Sequence, residues 1–446
     1  MKITISKLKI DVFILIISNL LIGFIDFIFN IYCSKILGPE GMGLLSMVSP
    51  INCIFMSFIT EGVIVTLSKI ISHLKYHQRQ SEMLATVKIT AIANFLWGLL
   101  LSVILFFSAK RISIHFLGDI SLSYPIMASC PLILLMSISN ILKGYFLGIN
   151  KIKVPAFINI AEKLFRYPVF YTLIVLLLNK TNFPSITIVY ICYSIGEMLS
   201  VILLWIYYLK LKPVSVEYSI NLDETRKTLK KLVKGAVPLC LTNCLLDFTN
   251  ALSSILVKSR LMHIGYSYYE SIGFLGKYKG MVFPIMYYPM IIIGSITSVI
   301  IPRMSTIISL GNEAYAKLLI KKVLYISLLI GIITMILYCT FAEEIGFFLY
   351  KRTDLNYMIK LTGLLAPLLY TSSSSSSILI SMGKERISFR NSFLQQGTLL
   401  IGLFIFTSIP AINIYGYVLA LFLSNAVLLS LNLIEIRRFQ IKKIQY

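Results

Sequence analysis

Charge is what this sequence has least of. Only 13% of its 446 residues are charged and only 19 are acidic, whereas 57% are hydrophobic. A soluble domain uses about a quarter of its residues as charges to cover its surface. That class is excluded here, and a mean hydropathy of +0.84 agrees. The chain reads as an integral membrane protein whose surplus apolar surface faces lipid. Histidine is also sparse, four in all, and no metal site is read from them. The seven cysteines are scattered. Cys240 and Cys244 stand at helical i,i+4 spacing without a second pair, so neither a zinc site nor a disulfide framework is expected. There is no Walker motif, no nucleotide-binding domain and no catalytic constellation of acids, bases and nucleophiles. The chain is therefore read as neither an ATPase nor an enzyme, and no cofactor is implied.

The net charge of +22 raises the question of nucleic acid. The basic residues sit mostly in short segments between apolar runs, however, and membrane topology accounts for them. A nucleic-acid partner is not expected. The N-terminus (Lys2, Lys7, Lys9, then apolar residues) resembles a signal peptide. It has no small-residue cleavage site, and Asp26 interrupts the run, so it reads as a retained first span.

Twelve runs are long and apolar enough to cross a bilayer, at about 20 residues each: 12–34, 44–68, 84–108, 122–149, 155–178, 184–209, 236–257, 280–302, 318–341, 357–382, 388–409 and 411–434. Their length specifies helices, because barrel strands are about 10 residues long with alternating polarity. With the N-terminus in the cytoplasm, 27 of the 41 Lys and Arg residues fall in cytoplasmic segments or the span ends adjoining them, 11 in outer segments or the span ends adjoining them, and three (Lys143, Lys163 and Arg166) deeper inside predicted helices. The positive-inside bias then places both termini in the cytoplasm.

The chain also repeats itself. Gly41, Met42, Met47 and Pro50 recur as Gly280, Met281, Met286 and Pro289, each 239 positions on. Pro131 in span 4 recurs as Pro367 in span 10, and Asp26-Phe27 in span 1 as Asp247-Phe248 in span 7. Three matches in the same order point to a duplication. An even number of spans per half makes the repeats parallel, related by an axis along the membrane normal, as in transporters that rock two lobes around a central cavity. The expected organisation is a six-helix lobe at 1–209, a cytoplasmic linker at 210–234 containing an amphipathic segment, and a second six-helix lobe at 235–446.

Ionisable groups at membrane depth are costly and usually face a cavity or a partner. Asp26 and Asp247 hold corresponding places in the two halves. Each reads either as a carboxylate for a cation, a proton or sugar hydroxyls, or as a packing group satisfied by neighbours such as Asn30, Asn243 and Asn250. Glu162 and Arg166 have the favourable acid-before-base i,i+4 spacing of an ion pair, which could also take part in substrate binding. Glu61 and Glu197 show no partner in the sequence. Lys69 closes span 2 and Arg303 closes span 8. Both read as positive-inside anchors, or as a cationic entrance for a phosphate-bearing substrate. The run Thr371–Ser377 reads as close helix packing, with a broken cavity-lining helix as the alternative.

Four stretches carry a resemblance: "ILGPEGMGLLSMVSPI" from Ile36, "TLSKIIS" from Thr66, "GINKIKVPAFINIAEKLFR" from Gly148 and "LLDFTNALSSILVKSRL" from Leu245. They are similar to the stage V sporulation protein B-like polysaccharide transporters of the multidrug/oligosaccharidyl-lipid/polysaccharide exporter superfamily, which is MATE-like. The likeness covers the first half and spans 7 and 8, then fades. It implies an all-α polytopic fold of two six-helix bundles, alternating access, and transport of a lipid-linked saccharide in a bacterial cytoplasmic membrane. The purpose would be cell-wall, spore or capsule polysaccharide. By position it carries Glu162 and Arg166, Asp247 and Lys69 over to the family pattern. Many relatives have fourteen helices, and the lipid II flippases place basic residues in helix 1. Here there are twelve spans, and Asp26 stands in the first.

The expected partners are the lipid-linked saccharide and membrane lipids, and a monomer is compatible with this reading. The drive open to such a chain is a Na+ or H+ gradient or the membrane potential. Two other readings stand beside it: a Na+- or H+-coupled multidrug exporter, and a non-transporting envelope assembly scaffold.

Overall fold

The computed structural model describes residues 2–177, 185–211, 222–309 and 313–442. Among these there are helices and no strands. Helix α1 (Lys2–Ser57) holds the first run and the start of the second, and α2 (Glu61–Tyr76) completes the second. From there the helices follow the predicted runs one for one. They are α3 (Gln80–Ile112), α4 (Cys130–Gly148), α5 (Lys153–Leu177), α6 (Ser185–Leu211), α7 (Leu222–His263) and α8 (Phe283–Ser309), then α9 (Glu313–Thr340), α10 (Asn356–Ser381), α11 (Glu385–Phe406) and α12 (Gly416–Lys442). Short helices at Ser123–Ala128, Tyr268–Leu275 and Ala342–Tyr350 lead into or follow the long ones.

The Ile36–Pro50 motif has a local cause. Gly38 adopts φ 68° and ψ −178° inside α1, a conformation open in practice only to glycine. Pro39 follows, with a ring pre-set for a first helical turn and no N–H to leave unpaired. Gly38-Pro39 thus stops one helix and starts the next without a loop, turning one long apolar stretch into two spans.

Seven segments meet a strict apolar criterion among the described residues, one of them, 17–76, carrying two runs. The runs that miss it are α5, α7, α10 and α11. Polar content explains this: α5 holds Glu162, Lys163 and Arg166, α10 holds the serine run, and α11 opens with Glu385, Arg386 and Arg390. Phe107, Phe348 and Ile401 are 77%, 76% and 64% exposed, a burden of bare apolar surface that only lipid relieves. The chain is a multi-pass membrane protein.

Packing divides it into two compact units. Unit one is 1–25 with 47–251, and unit two is 26–46 with 252–446. The units interleave in sequence, whereas the expected lobes were contiguous; the exchange is confined to 26–46 and 235–251. Part of the expected linker, 212–221, lies outside the described residues, and the rest of it from 222 onward is helical, as the start of α7.

Unit one is centred on Leu67, Ile71, Leu84, Ile141, Phe146 and Leu204, all nearly fully buried, from α2, α3, α4 and α6. In unit two, Met304, Ile320, Val323, Leu379 and Ile436 join α8, α9, α10 and α12. The two copies of the glycine–methionine motif meet inside unit two. A Cβ on Gly276 would stand 1.8 Å from the Pro39 carbonyl oxygen, and one on Gly43 2.0 Å from that of Ile272. One on Gly280 would stand 2.6 Å from the Met42 Cβ. Backbone touches backbone at Gly43 and Gly276, and at Gly280, a glycine of the repeat, the Met42 side chain closes in.

The serine run behaves as packing. Ser374 lies 2.5 Å from Ser327 on α9, Ser372 donates to Asn425 Oδ1 at 2.9 Å, and Asn432 donates to Ser375 and Ser376 at 2.9 Å each. Helix α10 runs unbroken through this stretch.

Candidate functional site

Unit one holds the densest group of buried charges. On α5, Glu162 pairs with Arg166 one turn later, as the spacing predicts. Their α6 neighbour is Gly196, where a Cβ would lie 3.0 Å from Glu162 Oε1 and 3.2 Å from Arg166 Nε. Glycine is therefore what lets the ion pair lie flat against α6. The Arg166 guanidinium also stands 4.6 Å from the centre of the Tyr193 ring, within cation–π range. On the next turn of α6, Glu197 accepts from Ser139 and lies 3.3 Å from Lys143 Nζ, both on α4. Glu162 is 3% exposed and Glu197 4%. Two acids and two bases thus neutralise each other across α4, α5 and α6. A single buried charge there would be costly, and the paired set is tolerated.

Glu197 corrects the sequence reading, which found no partner for it. Lys143 is 54 positions away, and only the packing of α4 on α6 brings the two together.

Also in unit one, Asp247 of α7 accepts from the Ser57 hydroxyl at 2.5 Å, and that hydroxyl is 2.8 Å from the Cys53 carbonyl oxygen. One hydroxyl proton serves two acceptors, so the carboxylate sits in a polar niche midway along α7. Asp26 lies on α1 in unit two, half-buried and hydrogen-bonded or charge-paired to neighbours. The repeat-related aspartates thus pack in different units. Lys69 is exposed on α2. The side chains of Glu61 and Arg303 lie outside the described residues.

Unit two contributes a cation that the sequence reading placed in an outer segment. Lys279 lies within the wide-turn helical stretch Gly276–Val282. Its ammonium donates to Ser253 at 2.7 Å and Ser254 at 2.8 Å, and sits 5.6 Å from the Tyr417 ring. Both serines are fully buried. Lys258 of α7 is 6% exposed, 5.4 Å from the Tyr268 ring. The repeat offset gives no signal for it, since position 279 corresponds to Glu40, which is exposed. Among the described residues no group of three or more His, Cys, Asp or Glu could hold a metal ion.

The polysaccharide biosynthesis protein family matches residues 8–308, two-thirds of the chain. The chain belongs to this family. Stage V sporulation protein B of Bacillus subtilis (strain 168) is 20% identical over 414 residues, covering 92% of this chain and 79% of the relative. Sporulation protein YkvU of the same organism is 20% identical over 339 residues, 76% of this chain and 74% of the relative. Among solved structures, an inward-facing multidrug resistance MATE family transporter of the MOP superfamily superposes with a TM-score of 0.76 at 12% identity. It covers 96% of this chain and 99% of its own. A MOP superfamily transporter from Pyrococcus furiosus gives 0.69 at 12% identity, over 98% and 96%. The fold is MATE-like from end to end. The family match stops at 308, where the resemblance read from the sequence also fades.

Proposed function

We propose that this chain exports a lipid-linked oligosaccharide or polysaccharide precursor across a bacterial cytoplasmic membrane by alternating access, with both termini in the cytoplasm. Membership of a polysaccharide biosynthesis family on a MATE-like fold carries this reading. The buried charges fit it in kind. Lys279 offers an ammonium held by hydroxyls, suited to a phosphate oxygen. The Asp247 niche offers a carboxylate suited to sugar hydroxyls, a cation or a proton. The neutral tetrad of α4, α5 and α6 would hold unit one rigid while other parts move. A Na+ or H+ gradient or the membrane potential would supply the drive.

A cation-coupled multidrug exporter is the second reading. The single mid-helix carboxylate of Asp247 favours it, because one titratable or cation-binding group is enough to couple a gradient.

The test is reconstitution in liposomes with a labelled undecaprenyl-pyrophosphate saccharide, following its accessibility to an outside reagent over time. Flipping above protein-free liposomes, slowed in Asp247→Asn, supports the proposal. No flipping, with drug efflux against a cation gradient, turns the reading to the exporter. Inactivity in both assays leaves the assembly scaffold.

A further inference from the structure

One cleft of unit two belongs to none of the groups described above. It has a volume of about 620 Å³ and is open on one side, within the 300–1,000 Å³ typical of small-molecule sites. It lies where three connections meet: the Gly38 turn between spans 1 and 2, the segment before and within Tyr268–Leu275 between spans 7 and 8, and Arg352 between spans 9 and 10. All three are odd-numbered connections, so they share one end of the unit. In the orientation proposed above, that end is the outer one.

The walls have a definite chemistry. Tyr266 and Phe274 stand edge to face with centroids 5.2 Å apart, forming a fixed aromatic corner. Tyr269, 65% exposed, offers a broad ring with a hydroxyl at its tip. Two of the lining residues, Gly38 and Gly273, have no side chain. An added Cβ at Gly38 would meet nothing within 4 Å, and one at Gly273 only Glu40 Cγ at 3.9 Å.

The charges decide which ligand fits. Lys277 and Arg352 line the cleft, but both are committed to Asp354, Lys277 at 2.7 Å and Arg352 through two bonds of 2.8 and 2.9 Å. The cleft also holds two carboxylates. Glu40 is exposed, and Glu270 spends one oxygen, Oε2, on capping Ser267. The lining thus balances two cations with two carboxylates, and Asp354 behind it engages both cations, so the acceptors facing the cleft outweigh its uncommitted positive charge. A phosphate or a uronate is repelled, while a neutral or amino-bearing polyol is favoured. Aromatic faces for the C–H side of a ring, with carboxylate and hydroxyl acceptors at its edge, match a sugar.

We propose that this cleft is a saccharide subsite, taking a neutral or amino-bearing sugar unit of the substrate at the outer face. It rests on the flippase reading for its role but not for its test. The purified full chain is titrated with three soluble probes, N,N′-diacetylchitobiose, chitobiose and digalacturonate, and ligand binding is read by saturation-transfer NMR. The first two are expected to bind, and the uronate roughly tenfold more weakly or not at all. Gly273→Trp fills the cleft from a lining position that has no side chain and is expected to abolish binding without changing the melting temperature by more than a few degrees. Tyr269→Ala, at an exposed position, is the second variant, with binding roughly tenfold weaker. No binding of the neutral disaccharide by the wild type, binding that survives both substitutions, or a preference for the uronate would each overturn the proposal. Flipping that persists without disaccharide binding refutes the cleft alone. Disaccharide binding without flipping refutes the flippase reading and leaves the subsite standing.

Discussion

Substituting Gly276 by alanine should loosen unit two, and the structure sets the size of the effect. The new Cβ would stand 1.8 Å from the Pro39 carbonyl oxygen, 2.5 Å from the Gly43 nitrogen and 2.9 Å from the Pro39 carbonyl carbon. All three are backbone atoms, so no side chain can swing aside. Restoring an ordinary contact of 3.4 Å needs a shift of about 1.6 Å in two packed helices. Overpacking typically costs 1–3 kcal/mol, and rigid neighbours put this case near 3. Alanine returns up to about 1 kcal/mol of helix propensity, leaving about 2 kcal/mol. For domains of 150–250 residues each kcal/mol shifts the midpoint by roughly 2–4 °C, so a loss of roughly 4–8 °C is expected. The control is Gly273→Ala, on the adjoining turn, whose Cβ has 3.9 Å to its nearest neighbour. It should melt with the wild type or slightly above it. The assay is thermal unfolding of both variants in the same detergent, followed by fluorescence. Coincident melting of the two variants would refute the backbone-on-backbone joint.

Lys143→Met should destabilise unit one by about 3–5 kcal/mol, because it leaves Glu197 buried without its counter-charge. The double variant Lys143→Met, Glu197→Gln should recover most of that loss, as a thermal double-mutant cycle would show. Asp354, outside the spans, has its carboxyl held below the usual carboxylate range by its hydrogen bonds to Arg352 and then Lys277. Its stabilisation is therefore fully present above the unfolded value of about 3.9 and fades as pH falls through the lower folded value. Melting from pH 6 to pH 3 should show the margin of the wild type over Asp354→Asn constant above about pH 4 and beginning to shrink at the acid end. A small margin is expected, since the Asp354 side chain is 38% exposed and screened by water.

The fold was legible wherever the signal was local. Twelve apolar runs became the expected helices, because length and hydropathy alone specify a membrane span. The break between runs 12–34 and 44–68 could be read from hydropathy, while the Gly38-Pro39 turn that makes it emerged only from the backbone. The Glu162–Arg166 pair could be read because i,i+4 neighbours share a helix face in any context. Partners set by packing could not. Ser57 meets Asp247 from 190 positions away, and Lys143 meets Glu197 from 54. Lys279 looked like a loop residue because a charge ends an apolar run on paper, while the helix continues through it on hydroxyls supplied by α7. The cleft was invisible for the same reason, its walls coming from three separate connections. The interleaving of the packing units was also hidden, since apolar composition does not say which neighbour an apolar face will choose.

The glycine joint of unit two also has a place in time. Its first half, residues 39–43, leaves the ribosome long before its second half, residues 272–276. At about 5–20 residues per second, synthesis separates them by roughly 10–50 seconds. Throughout that interval the bare edge at Gly43 has only lipid or unfinished chain to cover it. Unit two therefore cannot close this joint around 26–46 until residues 272–276, just ahead of the eighth span, have emerged, and a nascent chain arrested before Gly276 would hold the opening piece of a domain whose remainder does not yet exist.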